Sequence, residues 1–100
     1  MQELMSHIDQ VRSLCQAANV KTLFAFGSVA KDHLGPESDI DLVVDIEEED
    51  PEVYSDHYFN LKFKLQELLK RPIDLLEQGS LRNPYLRAEI DRTKVLVYGK

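Results

Sequence analysis

The stretch "FAFGSVAKDHLGPESDIDLVVDI", residues 24–46, sets two carboxylates, Asp39 and Asp41, with one residue between them at the head of an apolar run. Within "SDIDLVVDI" the alternation has the period of a strand. Ile40, Leu42, Val44 and Ile46 fall on one face, and Asp39, Asp41, Val43 and Asp45 on the other. This predicts a strand with one buried face. Just upstream, "KTLFAFG", residues 21–27, is apolar, contains two Phe and stops at a glycine, as a buried strand entering a turn would.

Working outward, residues 2–18 place Leu4, Ile8, Val11, Cys15 and Ala18 on one helical face and end at Asn19, which can adopt a left-handed cap. On the other side, "DIEEEDPE", residues 45–52, reads as a solvated loop, because its carboxylates cannot be buried together. A second long helix is predicted over 55–71. Ser55 serves as its N-cap, Tyr58, Leu61, Leu65 and Leu68 form its inner stripe, and Phe59 and Leu69 flank that stripe. Pro72 begins a short strand, "PIDLLE". Asn83 and Pro84 suit the N-cap and first position of another helix, and "KVLVYG" closes as a strand. The expected fold class is α/β (α+β): a small mixed sheet of about four strands flanked by helices, forming one domain over 1–100.

With 100 residues, 43% hydrophobic and 30% charged, the chain can bury one modest core. Its single cysteine, Cys15, cannot form an intramolecular disulfide and lies on the apolar helix face, so it reads as core. No run approaches the length of a membrane span and no signal pattern opens the chain, so a cytoplasmic protein without membrane contact is expected. Twelve basic against eighteen acidic residues leave a formal net charge of −6, which opposes direct nucleic-acid binding. His7, His33 and His57 are too scattered for a zinc set. Arg82 and Arg87, near the last helix, read as surface residues.

Two residues apart on a strand, Asp39 and Asp41 project to the same side with Cα atoms about 6.5–7 Å apart. Like charges held this close repel, and a divalent cation between them removes the cost. Carboxylate oxygens suit Mg²⁺, which takes one or two of them together with phosphates and waters. Gly27 permits close backbone approach, Ser28 adds a hydroxyl, and "SVAKDHL" can supply a short helix from which Lys31 reaches a phosphate. Each feature alone is common; the combination is more specific.

"GS", ten residues, then "DID" resembles the signature of the polymerase-beta-type nucleotidyltransferase superfamily, and within it the chain is most similar to the minimal nucleotidyltransferases, or MNT proteins. The resemblance runs from "FAFGS" through "SDIDLVV" to the final strand. It implies the nucleotidyltransferase fold and a third carboxylate on a later strand, for which "RPIDLL" offers Asp74; the lesser alternative is a surface residue on an edge strand begun by Pro72. Many family members carry Arg-Gly after the turn, where this chain has Lys31 and Asp32. Lys keeps the charge but not the bidentate fork, and Asp32 adds negative charge near the phosphates.

The activity implied by the resemblance is nucleotidyl transfer. Asp39, Asp41 and Asp74 would be catalytic and hold Mg²⁺, two ions in all, while Gly27, Ser28 and Lys31 bind the nucleotide. ATP would be the co-substrate and a hydroxyl, by the same resemblance that of a tyrosine, the AMP acceptor. The partner so implied is a helical HEPN-type toxin, with this chain as antitoxin; homo- or hetero-oligomers are both open. Other readings are a non-catalytic module that neutralises its partner by contact, and transfer to a small-molecule hydroxyl.

Overall fold

A computed structural model describes residues 1–31, 35 and 38–99. Asp32 and His33 lie outside the described residues. In chain order the elements are α1 (Gln2–Met5), α2 (Ile8–Ala17), β1 (Val20–Phe26), β2 (Ile40–Ile46), α3 (Pro51–Leu69), β3 (Ile73–Glu77), a 3₁₀ turn (Gln78–Ser80), α4 (Pro84–Thr93) and β4 (Val95–Tyr98). Among the described residues this is a four-stranded mixed sheet of order β3-β2-β1-β4 with four α-helices, an α/β fold as expected.

β1 runs antiparallel to both β2 and β4, whereas β2 and β3 are parallel. Parallel neighbours need a crossover, and α3, with 19 residues, spans about 28 Å at 1.5 Å per residue, enough to return the chain along the sheet. Its Leu61 and Leu65 are fully buried against the sheet, each contributing about 1.5–3 kcal/mol. They join Leu4, Val11, Cys15, Leu23, Leu42 and Val44 in the main core between the sheet and α1, α2 and α3. Tyr58 donates its hydroxyl hydrogen to the Leu75 carbonyl, satisfying an acceptor on the outer side of edge strand β3. Phe59 is half exposed and stacks on Phe63 on the outward side of α3, so it does not extend the inner stripe.

The other face of the sheet is covered as well. Val43, expected on an open face, is buried with Phe26 and Ile90, and Phe24, Leu76, Leu81 and Leu86 pack around them. β2 is therefore buried on both faces except at Asp41 and Asp45, because α4 closes the second side. A two-residue period reports which side chains alternate, not whether a distant helix covers the second set.

Two predicted boundaries also shift. The N-terminal helix is two helices interrupted at Ser6 and His7. Its apolar spacing survives because both pieces turn the same side inward. Asn19 takes the left-handed conformation as expected, at φ 57°; its side-chain amide donates to the Glu47 carbonyl and its backbone carbonyl accepts from the Glu47 N–H, tying the end of α2 to the end of β2. The second change is at α3, which begins inside the supposed acidic loop. Asp50 is its N-cap, accepting from the Glu52 N–H at 2.9 Å, and Pro51 occupies the first position. Proline there lacks an N–H the helix could not have used, and the Asp50 carboxylate complements the helix dipole. Asp50→Ala should cost about 1 kcal/mol in urea unfolding, whereas Ser55→Ala, inside the helix, should change stability by less than about 0.5 kcal/mol; a larger loss at Ser55 would return the cap to it. Asn83 and Pro84 open α4 as expected, with the Asn83 side chain accepting from Tyr85 and Leu86 N–H groups.

None of the described helices is long and apolar enough to cross a membrane.

Candidate active site

β2 and β3 leave from the sheet edge at which β1 arrives, because they are parallel to each other and β1 is antiparallel to β2. Asp41, second residue of β2, therefore stands opposite Phe26 at the end of β1 on one side and in register with Asp74, second residue of β3, on the other. In-register residues of a parallel pair share a face about 4.8 Å apart. Both carboxylates consequently lie on the side of the sheet covered by α4, and Asp39 lies two residues before Asp41.

Asp41 is half-buried, while Asp39 and Asp74 are exposed. Burial first, then the like charges of Asp74 and Asp39, raise the Asp41 carboxyl above its usual range. Among the described residues none of the three makes an ion pair or a side-chain hydrogen bond. They are coupled through space without a protein cation between them. Nor does any group of three or more His, Cys, Asp or Glu side chains among the described residues stand ready to hold a metal ion. The fold thus brings Asp41 and Asp74 together, with Asp39 near, short of a preformed cage.

Gly27 follows β1 with φ 67° and lies directly against Asp41. A Cβ at that position would stand 2.7 Å from Asp41 Oδ2. The glycine is needed both for its left-handed backbone and for the room it leaves the carboxylate. After it, the Lys31 N–H donates to the Gly27 carbonyl at 3.1 Å, closing one helical turn over Ser28, Val29 and Ala30. Val29 is fully buried and anchors the turn in the main core, and Ser28 is partly exposed. The expected continuation of this helix lies outside the described residues.

Lys31 is not turned freely toward the carboxylates. Its ammonium pairs with Glu89 Oε1 of α4 at 3.3 Å, and Glu89 is also bound by Arg92. Both cations hold the Glu89 carboxyl below its usual range, the hydrogen bond from Arg92 first. Thr93, at the end of α4, accepts a long contact of 3.5 Å from the Gly27 N–H while donating to the Glu89 carbonyl at 2.8 Å. Glu89 and Thr93 were missed by sequence reasoning, since nothing in the spacing links residue 27 to residue 93. Arg87 donates to the Leu81 carbonyl and Arg82 is exposed, away from any role in the strand-end cluster that these contacts define.

A family model for the nucleotidyltransferase domain matches residues 4–97. A Methanocaldococcus jannaschii protein, provisionally named a protein adenylyltransferase, is 33% identical over 78 residues, 78% of this chain and 77% of its own. Among solved structures, a provisionally named minimal nucleotidyltransferase superposes with a TM-score of 0.77 at 30% identity, covering 92% of this chain and 90% of that one. A chain from the complex of tri-AMPylated Shewanella oneidensis HEPN toxin with MNT antitoxin superposes with a TM-score of 0.67, covering all of this chain and 74% of that one; at 19% identity this is a likeness of fold.

Proposed function

We propose, from the premise that this chain belongs to the nucleotidyltransferase domain family, that it transfers AMP from ATP to a tyrosine hydroxyl of a HEPN-type toxin and acts as that toxin's antitoxin. The observation that carries this reading is the register of Asp41 with Asp74, two carboxylates without an ion-pair partner among the described residues, the first of them against the Gly27 turn. The adenylyltransferase name of the archaeal relative and the AMPylated toxin of the structural neighbour support the donor and the acceptor.

The donor set suits Mg²⁺: hard carboxylate oxygens, an Asp41 carboxyl raised by burial and by its two acidic neighbours, and no protein cation among the described residues to offset them. Asp39 and Asp41 would hold one ion and share a second with Asp74. When bound, such ions neutralise phosphate charge and lower the pKa of the attacking hydroxyl. The chain's own groups do the positioning. Gly27 and Ser28 hold the phosphates through backbone N–H and hydroxyl, and the Gly27 N–H exchanges its long Thr93 contact for a phosphate oxygen. The acceptor oxygen bonds the α-phosphorus as the bond to the bridging oxygen breaks. Pyrophosphate leaves, and the hydroxyl proton passes to the Asp74 carboxylate or to water. Lys31 joins the phosphates only by leaving Glu89, an exposed pair of the weak class.

The test is transfer of label from α-labelled ATP, with Mg²⁺, to a HEPN-type toxin purified with this chain, followed by mass spectrometry of the labelled residue. AMP on a tyrosine is the expected result. Binding without label would favour neutralisation by contact alone, a reading to which the engaged Lys31 lends support; label on a small molecule instead would redirect the acceptor.

A further inference from the structure

We infer that Arg71 is a positioning residue that fastens the backbone carrying Asp39 to the start of the strand carrying Asp74; the inference rests on the nucleotidyl-transfer reading of that site. Arg71 follows Lys70, whose left-handed conformation at φ 55° ends α3. From there its guanidinium reaches back across the sheet edge. One nitrogen, Nη1, donates to the Gly35 carbonyl at 2.7 Å and to the Ser38 carbonyl at 3.3 Å. On the far side of Asp39, the Ile40 N–H donates to the Pro72 carbonyl at 3.0 Å. Asp39 is thus the single residue between two backbone points, Ser38 and Ile40, both held by residues 71–72.

The exposed Asp39 side chain has no hydrogen bond of its own among the described residues, so its place is set by its backbone. That backbone is under a separating load, because Asp39 brings a carboxylate within two residues of Asp41, which stands in register with Asp74, and like charges repel. A charge-assisted bond to a carbonyl is stronger than a neutral one, and the half-buried Arg71 makes two while forming no ion pair among the described residues. Its charge is committed to backbone rather than to a carboxylate. It can therefore resist the repulsion without neutralising the carboxylates that a metal needs.

Three variants test this: Arg71→Met, Arg71→Gln, which keeps a neutral donor, and Arg71→Lys, whose ammonium can retain both bonds because they leave one nitrogen. Arg71→Met and Arg71→Gln should speed hydrogen exchange of the Ile40 amide and raise the Mg²⁺ concentration needed for half-maximal transfer, each by about tenfold. The KM for ATP at saturating Mg²⁺ should move little, and Arg71→Lys should recover most of both losses. Should the methionine variant fail to fold, the glutamine variant carries the comparison. Unchanged Ile40 exchange and Mg²⁺ dependence in Arg71→Gln would overturn the inference, as would losses in Arg71→Gln that merely track its global stability in urea. If the wild-type chain itself shows no transfer, the functional reading has failed, and the Ile40 exchange rates still decide whether Arg71 holds the Asp39 segment.

Discussion

Asp41→Asn is expected to abolish AMP transfer, by about 10³-fold or more, while leaving the fold intact. The amide matches the carboxylate in shape but removes the charge at the centre of the set, the one carboxylate that contacts Gly27 and stands in register with Asp74. The stability of the metal-free protein should change in the opposite sense to its activity. Burial, Asp74 and Asp39 raise the folded-state pKa of Asp41 above its ordinary value. The folded state therefore binds the Asp41 proton more tightly than the unfolded chain. The stabilisation this provides is fully present below the unfolded pKa and is lost as pH rises through the folded one. At neutral pH the ionised side chain is a net cost, which asparagine removes. The variant should thus equal or exceed wild type in thermal stability at pH 7, with the difference closing below about pH 4. Mg²⁺ with a non-hydrolysable ATP analogue should then reverse the order, stabilising wild type by about 2.7 kcal/mol at a hundred times the Kd and the variant far less. Near-wild-type transfer in saturating Mg²⁺ would remove Asp41 from the chemistry. A variant less stable than wild type at pH 7 without metal would contradict the electrostatic account.

Gly27→Ala should damage both fold and activity, for two separable reasons. A residue with a Cβ at φ 67° costs about 1–2 kcal/mol. The new methyl would also begin 2.7 Å from Asp41 Oδ2, well inside contact distance, so either the carboxylate or the turn must move. A displacement of that kind next to reacting groups should lower transfer by about 10²-fold. The two parts can be told apart by repeating the substitution in an Asp41→Ala background, where the steric part has no partner and only the backbone part remains. Gly79→Ala is the control, since nothing lies within 4 Å of a Cβ there and its φ is ordinary. If Gly27→Ala matches that control in urea unfolding and in label transfer, the close approach of turn and carboxylate has no consequence.

How much was legible in advance depends on the range of the interaction involved. The cap of α4 at Asn83 and Pro84, the left-handed Asn19 and the burial of Cys15 follow from neighbours within a few residues, and each stands as expected. Asp50 and Pro51 carry the same cap-and-proline signal as Asn83 and Pro84, and it was legible; the surrounding acidic run masked it. The interruption at Ser6 and His7 left no trace in the periodicity, because Leu4 and Ile8 face the same core on either side of it.

For the candidate site the division is sharper. The spacing from the Gly27–Ser28 turn to Asp39 and Asp41, and the alternation that puts Asp41 on the Val43 side of its strand, are properties of the sequence by itself, although β2 begins at Ile40 and leaves Asp39 just before it. They are local, and local geometry at 3.3 Å per residue leaves little freedom. That Asp74 stands beside Asp41, that α4 covers Val43 and engages Lys31 through Glu89, and that Arg71 grips the carbonyls before Asp39 were decided only by tertiary structure. Each joins residues thirty or more positions apart, and which of them meet depends on how α3 and α4 return the chain across the two faces of the sheet.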